Sequence, residues 1–253
     1  MKTSKRRDHD SLKRGIYILP NLFTTVGIFF GFYAVISAIN GQFVKSAVFI
    51  LIAAVLDGLD GKIARVTRTT SRFGVEYDSL SDLVSFGAAP ALLVYLWSLA
   101  PYGRAGWIIA FLYVVCGALR LARFNVQAGA RTSKVFVGLP IPAAAMVVAS
   151  TVLFRNFLGG TGPFHHPVVP VAMIFLSLLM VSNVPYYSFK DLNFFAKKPF
   201  MTLVLIVLVF VVIVMQPHVM FFVMAMAYAL SGPSWVVYRM IHKEKITEEK
   251  HEF

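Results

Sequence analysis

Asp57-Gly58-Leu59-Asp60-Gly61-Lys62-Ile63-Ala64-Arg65, followed after eight residues by Gly74, Asp78 and Asp82, is the stretch that decides how this chain is read. The chain holds only twelve acidic residues. Asp57, Asp60, Asp78 and Asp82 lie in this stretch, with Glu76 beside them. Six of the other seven sit near the termini, and Asp191 stands alone. Nearly all the interior negative charge is therefore gathered in one place. Carboxylates near lipid cost free energy unless they are paired or bound to a cation, so the cluster calls for a chemical reason.

The rest of the composition sets the surroundings. Of 253 residues, 58% are hydrophobic and 14% charged, and mean hydropathy is +0.71. A soluble domain carries roughly a quarter charged residues. The class is an integral membrane protein, expected as an all-α polytopic helix bundle. Net charge is +12. The basic residues lie between apolar runs, which points to anionic head groups and topology control rather than nucleic acid. Cys116 is the single cysteine, so no internal disulfide framework exists, and a small buried hydrophobe is its expected role.

Residues 1–15 form a basic segment, expected to be cytoplasmic. The apolar run from Ile16 to about Ile39 is too long for a signal-peptide core and reads as a retained first helix. Gly27 and Gly31 form a GxxxG pair in it, a signal for close helix packing. Seven further spans are expected at about 43–65, 78–99, 105–124, 137–157, 167–184, 201–216 and 218–241. The last two are close enough, across Gln216-Pro217-His218, to form a re-entrant pair instead. The division is thus 1–15, a core over 16–184, added C-terminal helices over 185–241, and a cytoplasmic tail over 242–253. With eight spans, every Lys and Arg except Lys45, Arg104 and Arg155 falls on the side of the termini. Cytoplasmic loops carry the basic excess, so the aspartates are expected at the cytoplasmic face of the cytoplasmic membrane.

Helical positions three and four apart share a face. Asp57, Asp60, Gly61 and Ala64 then form one stripe, and Gly74, Asp78 and Asp82 another. Antiparallel packing of the two helices brings four carboxylates together, and these repel strongly in low dielectric. Hard oxygen ligands suit Mg²⁺, Mn²⁺ or Ca²⁺, and four suit two ions. Paired ions of this kind clamp the oxygens of a phosphoryl displacement. Gly61 and Ala64 leave a hollow for a ligand, and Arg65 can take a phosphate bidentately. Two plainer alternatives stand beside this. Asp-Gly pairs favour hairpin turns, but the flanking runs are too long and apolar for hairpin strands. An ion network with Lys62, Arg65, Arg68 and Arg72 leaves the small residues unexplained.

The pattern Asp-x2-Asp-Gly-x2-Ala-Arg-x8-Gly-x3-Asp-x3-Asp is met at Asp57, Asp60, Gly61, Ala64, Arg65, Gly74, Asp78 and Asp82. It resembles the signature of the CDP-alcohol phosphatidyltransferase family, with every specified position matched. The resemblance implies a six-helix membrane core, homodimers, and transfer of a phosphatidyl group from a CDP-lipid to an alcohol with release of CMP. It implies that Asp57, Asp60 and Asp78 hold one metal, Mg²⁺ or Mn²⁺, and that Asp57, Asp78 and Asp82 hold or approach a second. Gly61, Ala64, Arg65 and Gly74 would border the CDP group. Two spans beyond the six-helix core depart from the minimal pattern.

Two further stretches are similar to the serine-using branch of that family. Pro20-Asn21-Leu22-Phe23-Thr24 opens the first span, and by this likeness Asn21 and Thr24 join the CDP-lipid site. The other runs from Cys116 to Asn125, with Phe136-Val137-Gly138-Leu139-Pro140-Ile141-Pro142 after it. Arg120 and Arg123 can receive a carboxylate or a lipid phosphate, or serve only as topology charges. Asn125 can bond an amino or hydroxyl group, or cap a helix end. The expected activity is transfer from CDP-diacylglycerol to the hydroxyl of L-serine, with Asp82 as the base that takes the hydroxyl proton. Glycerol phosphate, inositol phosphate or choline are rival acceptors. A rival of another class is an ion-coupled transporter, but transporters place paired, interrupted helices at the midplane, and this acidic cluster is unpaired and sits at a membrane face. His165-His166 fall on the opposite face and read as a solvated loop.

Overall fold

The computed structural model describes residues 4–66, 71–128, 135–187, 207 and 215–248, with side chains over 21–63, 66, 71–127, 137–186, 207 and 215–241. A long apolar run in lipid must satisfy its backbone groups internally, and a helix does so within the single segment. Seven helices form among the described residues: α1 Ser4–Ile39, α2 Phe43–Val66, α3 Arg72–Tyr102, α4 Arg104–Ala128, α5 Ile141–Phe157, α6 Val168–Val181 and α7 Pro217–Glu248. Four stretches, 21–39, 72–102, 104–127 and 217–241, are long and apolar enough to cross a membrane. The chain is an integral membrane protein with an all-α bundle, as its composition demands. The expected span at 201–216 lies outside the described residues except at Val207, Met215 and Gln216. The span expected at 218–241 belongs to one continuous helix, α7.

Gly41 sets the first turn. Its φ of +72° lets Gly41 N–H donate to Ala38 O at 3.0 Å and Gln42 N–H to Ser37 O at 2.9 Å. This left-handed helix cap reverses the chain in three residues and lays α2 against α1. Next comes α3, which starts six residues before the expected span. Ser71 is extended, and its Oγ accepts from Gly74 N–H at 2.9 Å, so it caps the helix. Hydropathy is blind to such a polar first turn. Further along, α3 widens into π-helical turns at Leu83–Ala88 and Tyr95–Leu99. Pro90 follows the first of these. A proline ring collides with the carbonyl four residues back, and a wider turn relieves the collision.

Helix α3 is central: 61% of its most apolar stretch is buried inside the molecule, against 11% for α7, which lies at the periphery. The core between α1, α2, α3 and α5 is rich in small residues, including Ala34, Ala38, Ala47, Ala53, Ala89, Ala144 and Ala145. Small residues let helices approach closely where lipid offers no hydrophobic drive between them. The outward faces carry exposed Phe29, Phe32, Trp107, Phe111, Val171 and Leu178, as a lipid-facing surface should.

One feature departs from a purely helical reading. Val135–Val137 and Pro185–Tyr187 pair as a short antiparallel ribbon, β1 and β2, with Phe136 opposite Tyr186. The expected span at 137–157 therefore begins later, at Ile141, with Pro140 as its cap and Pro142 in its first turn.

The GxxxG pair of α1 meets α3. Ser81 Oγ donates to Thr24 O at 3.4 Å, and Ser85 Oγ donates to Gly27 O at 3.2 Å. A Cβ on Gly31 would meet Ser85 Oγ and lie 2.8 Å from Ser85 Cα. Gly31→Val should force α1 from α3 and lower stability by about 1–3 kcal/mol, read as a fall in the detergent melting temperature. Gly58 has open space around its Cβ position. Gly58→Ala should hold or slightly raise that temperature, since alanine favours the helix by about 1 kcal/mol. Equal loss in both variants would refute the close-approach account.

Candidate active site

The C-terminal end of α2 presents Asp57 and Asp60. The N-terminal half of α3 presents Asp78 and Asp82. Because residues 66 and 72 are joined by a short connection, these ends lie side by side, and the helical spacing of the motif becomes a shared hollow. Carboxylate oxygens of Asp57, Asp60 and Asp78 all lie within 4.8 Å of one another. Opposing oxygens around Mg²⁺ are about 4.1 Å apart and around Ca²⁺ about 4.8 Å. Three hard donors at this spacing fit a divalent cation.

Four carboxylates were expected to converge; three form the tight group, and Asp82 stands one turn further along α3. It remains in electrostatic reach of Asp57, Asp78 and Asp60, and of the Arg120 guanidinium from α4. Among the described residues, the charges acting on Asp57 and Asp78 are those of other aspartates. The side chains of Arg65 and Arg68, which belong to the ion network weighed from the sequence, lie outside the described residues.

Helix α1 supplies the polar support. Thr24 is 5% exposed, and its Oγ1 donates to Asp60 Oδ2 at 2.9 Å. The hydroxyl fixes one Asp60 oxygen and aims the carboxylate into the hollow. Beside it, Thr25 Oγ1 and Tyr77 OH share a hydrogen bond of 2.9 Å. Asn21 reaches the same corner, since a Cβ on Gly74 would lie 3.4 Å from Asn21 Oδ1. Gly61 opens onto free space, with nothing within 4 Å of its Cβ position. The side chains of Ala64, Arg65 and Arg68 lie outside the described residues.

Helix α4 closes the far side. Arg120 is buried, 9% exposed. Arg123 instead donates from Nη1 to Val181 O at 3.2 Å and from Nη2 to Asn183 Oδ1 at 2.5 Å. Asn125 Nδ2 donates to Glu76 Oε2 at 3.2 Å and to Ser79 Oγ at 2.9 Å. These two residues bind α4 to the end of α6 and to α3. Of the residues singled out from the sequence, Thr24, Asp57, Asp60, Asp78, Asp82 and Arg120 therefore come together, with Asn21, Gly61 and Gly74 at the rim. His165 and His166 lie away from this site, beside Ser98 and Phe164, and Cys116 is buried. Ser71 and Ser81 are supports that sequence reasoning missed. Both are serines one or two turns from an aspartate, but their partners are visible only in three dimensions.

The family model of CDP-alcohol phosphatidyltransferases matches residues 17–182. A Helicobacter pylori protein named CDP-diacylglycerol–serine O-phosphatidyltransferase is 41% identical over 199 residues, covering 78% of this chain and 83% of its own. A Mycobacterium tuberculosis protein of the same name is 31% identical over 228 residues, 87% of this chain and 79% of its own. An archaetidylserine synthase of Methanothermobacter thermautotrophicus is 36% identical over 170 residues, 66% of this chain and 69% of its own. The matched region spans α1 to α6 and contains all four aspartates of the hollow. The chain belongs to the CDP-alcohol phosphatidyltransferase family.

Proposed function

We propose that this protein transfers the phosphatidyl group of CDP-diacylglycerol to the hydroxyl of L-serine, giving phosphatidylserine and CMP. The observation that carries the reading is the carboxylate group of Asp57, Asp60 and Asp78 beside Asp82 and Arg120 in one hollow. The names of the relatives supply the acceptor. A serine carboxylate is matched by one buried guanidinium, whereas a phosphorylated alcohol calls for more positive charge.

In this reading Asp57, Asp60 and Asp78 hold one divalent cation, and Asp57, Asp78 and Asp82 hold or approach a second, Mg²⁺ or Mn²⁺. When bound, such ions neutralise charge on the donor's diphosphate and on departing CMP. The chain's own residues do the rest. Asn21, Thr24, Gly61, Ala64, Arg65 and Gly74 border the CDP-lipid, and the small residues admit it close to the backbone. Arg120 takes the acceptor carboxylate. Arg123 and Asn125 wall the acceptor site by holding α4 to its neighbours. Asp82 accepts the proton from the serine hydroxyl as that oxygen bonds to the phosphorus next to the lipid, and the bond from phosphorus to the CMP oxygen breaks.

Residues 16–184 form the transferase core in this reading, with the later helices added to it. The excess of basic residues supports a cytoplasmic site and cytoplasmic termini. A homodimer is expected from the family likeness.

Purified protein with CDP-diacylglycerol and Mg²⁺ or Mn²⁺ should release CMP with serine, and not with glycerol phosphate, inositol phosphate or choline. EDTA should abolish release, and either cation should restore it. Full turnover in metal-free buffer would sink the metal assignment, and release with another alcohol would replace the acceptor.

Asp82 separates catalysis from binding. Asp82→Asn keeps the side chain's shape but removes the base, and a positioned base contributes roughly 10²–10⁴-fold. The variant should bind CDP-diacylglycerol with cation and turn over at least about a hundredfold more slowly. Asp57→Asn should weaken donor binding itself. If a donor titration shows equal binding loss in both, Asp82 is chiefly a cation ligand and the base lies elsewhere.

A further inference from the structure

Thr24 and Thr25 stand side by side on α1 and reach two different helices. Successive helical positions point about 100° apart, so neighbours on one helix can serve two partners. Thr24 Oγ1 donates to Asp60 Oδ2 of α2 at 2.9 Å. Thr25 Oγ1 meets Tyr77 OH of α3, also at 2.9 Å. Tyr77 directly precedes Asp78. One turn of α1 is thereby tied to both carboxylate-bearing helices at the level of the hollow. Thr25 and Tyr77 stand outside the aspartate motif, and no step of the mechanism above uses them.

The direction of the Tyr77 bond follows from the one beside it. Thr25 Oγ1 donates its single proton to Asn21 O at 2.7 Å. It therefore accepts from Tyr77, and the phenol is the donor. The phenol ring is itself held, stacked on Phe73 one turn earlier with centroids 5.7 Å apart and planes at 14°. On the other flank of the same turn, Asn125 Nδ2 of α4 donates to Glu76 Oε2 at 3.2 Å and to Ser79 Oγ at 2.9 Å. The turn that carries Asp78 is thus gripped from α1 and from α4 through its neighbours Glu76, Tyr77 and Ser79.

We infer that the Tyr77–Thr25 bond positions the cation site by fixing how far Asp78 stands from Asp57 and Asp60. This rests on the cation reading above and deepens it. Three carboxylates with oxygens within 4.8 Å of one another repel, and the repulsion pushes α3 from α2. A hollow that widens before a cation arrives has to be drawn together on binding, and that work is subtracted from affinity. With Thr24 holding α2 and Thr25 holding α3, the two helices cannot part without breaking a bond to the same turn of α1. Tyr77 and Thr25 are positioning residues, and the aspartates remain the ligands.

The test is direct cation binding by the full-length protein in detergent, without substrate. Mn²⁺ is titrated and the free ion is read by electron paramagnetic resonance, counting the uptake that Asp57→Asn abolishes. Tyr77→Phe keeps the stacked ring and removes the phenol oxygen, and Thr25→Val keeps the shape and removes the hydroxyl. Each should raise the half-saturating Mn²⁺ concentration by about tenfold, as for loss of an outer-shell partner. The double variant should show the same loss rather than its square, because both changes break one bond. Tyr186→Phe removes a comparable phenol bond, to Ala229 O at 2.9 Å between the ribbon and α7, and should leave the titration unchanged. Unchanged Mn²⁺ binding in Tyr77→Phe, multiplied losses in the double variant, or an equal loss in Tyr186→Phe makes the pair a packing contact and overturns the inference. If the unmutated protein takes up no more Mn²⁺ than Asp57→Asn does, the cation reading itself falls, and this inference with it.

Discussion

Mutual repulsion of carboxylates is the constraint on which the structure depends. Asp57, Asp60 and Asp78 sit within 4.8 Å of one another in an apolar bundle, and among the described residues the charges acting on Asp57 and Asp78 are those of other aspartates. Such a group drives its own helices apart unless packing elsewhere holds them. The holding is done by α1. Thr24 grips Asp60 by its side chain and Ser81 by its carbonyl, and Gly27 receives Ser85. Missing side chains at Gly27 and Gly31 let these bonds form at backbone distance. Among the described residues, the site is thus held together by neutral hydrogen bonds and close contact.

That choice explains the division of labour along the chain. A fixed lysine or arginine among the aspartates would satisfy them and leave nothing for a ligand. Serines and threonines satisfy the backbone and one carboxylate oxygen while leaving the remaining lone pairs open. The support residues are therefore polar and uncharged, and the one buried base is placed beside Asp82, at the edge of the cluster.

Much of this was legible beforehand because helical period carries it. Spacing of three and four placed Asp57 with Asp60 and Asp78 with Asp82, and the apolar runs located α2, α4 and α6 within a few residues. The Gly27 and Gly31 pair announced a close approach. What escaped were contacts between distant residues and shapes that hydropathy does not register. Thr24 and Asp60 are 36 positions apart, and Arg123 and Asn183 are 60 apart. The ribbon joins two three-residue segments too short to show a strand period. The polar start of α3 at Ser71 and its widening before Pro90 depend on single hydrogen bonds and one ring clash. Arg123 and Asn125 read as ligand groups, yet both have protein partners, because a side chain's donors say nothing of who accepts.

Charge balance links the aspartate hollow to the acceptor. Among the described residues Arg120 is the one buried basic side chain. In the proposed reading, cations held by the aspartates are matched by the diphosphate of the donor, so the filled site has little positive charge to spare. A zwitterionic acceptor adds no net charge, and in the proposed reading its carboxylate meets Arg120 while its hydroxyl meets Asp82. A phosphorylated acceptor adds negative charge to a site already rich in it, and among the described residues the buried shell holds no second base to meet that charge. In that reading, the scarcity of buried positive charge among the described residues disfavours phosphorylated alcohols just as Arg120 favours a carboxylate.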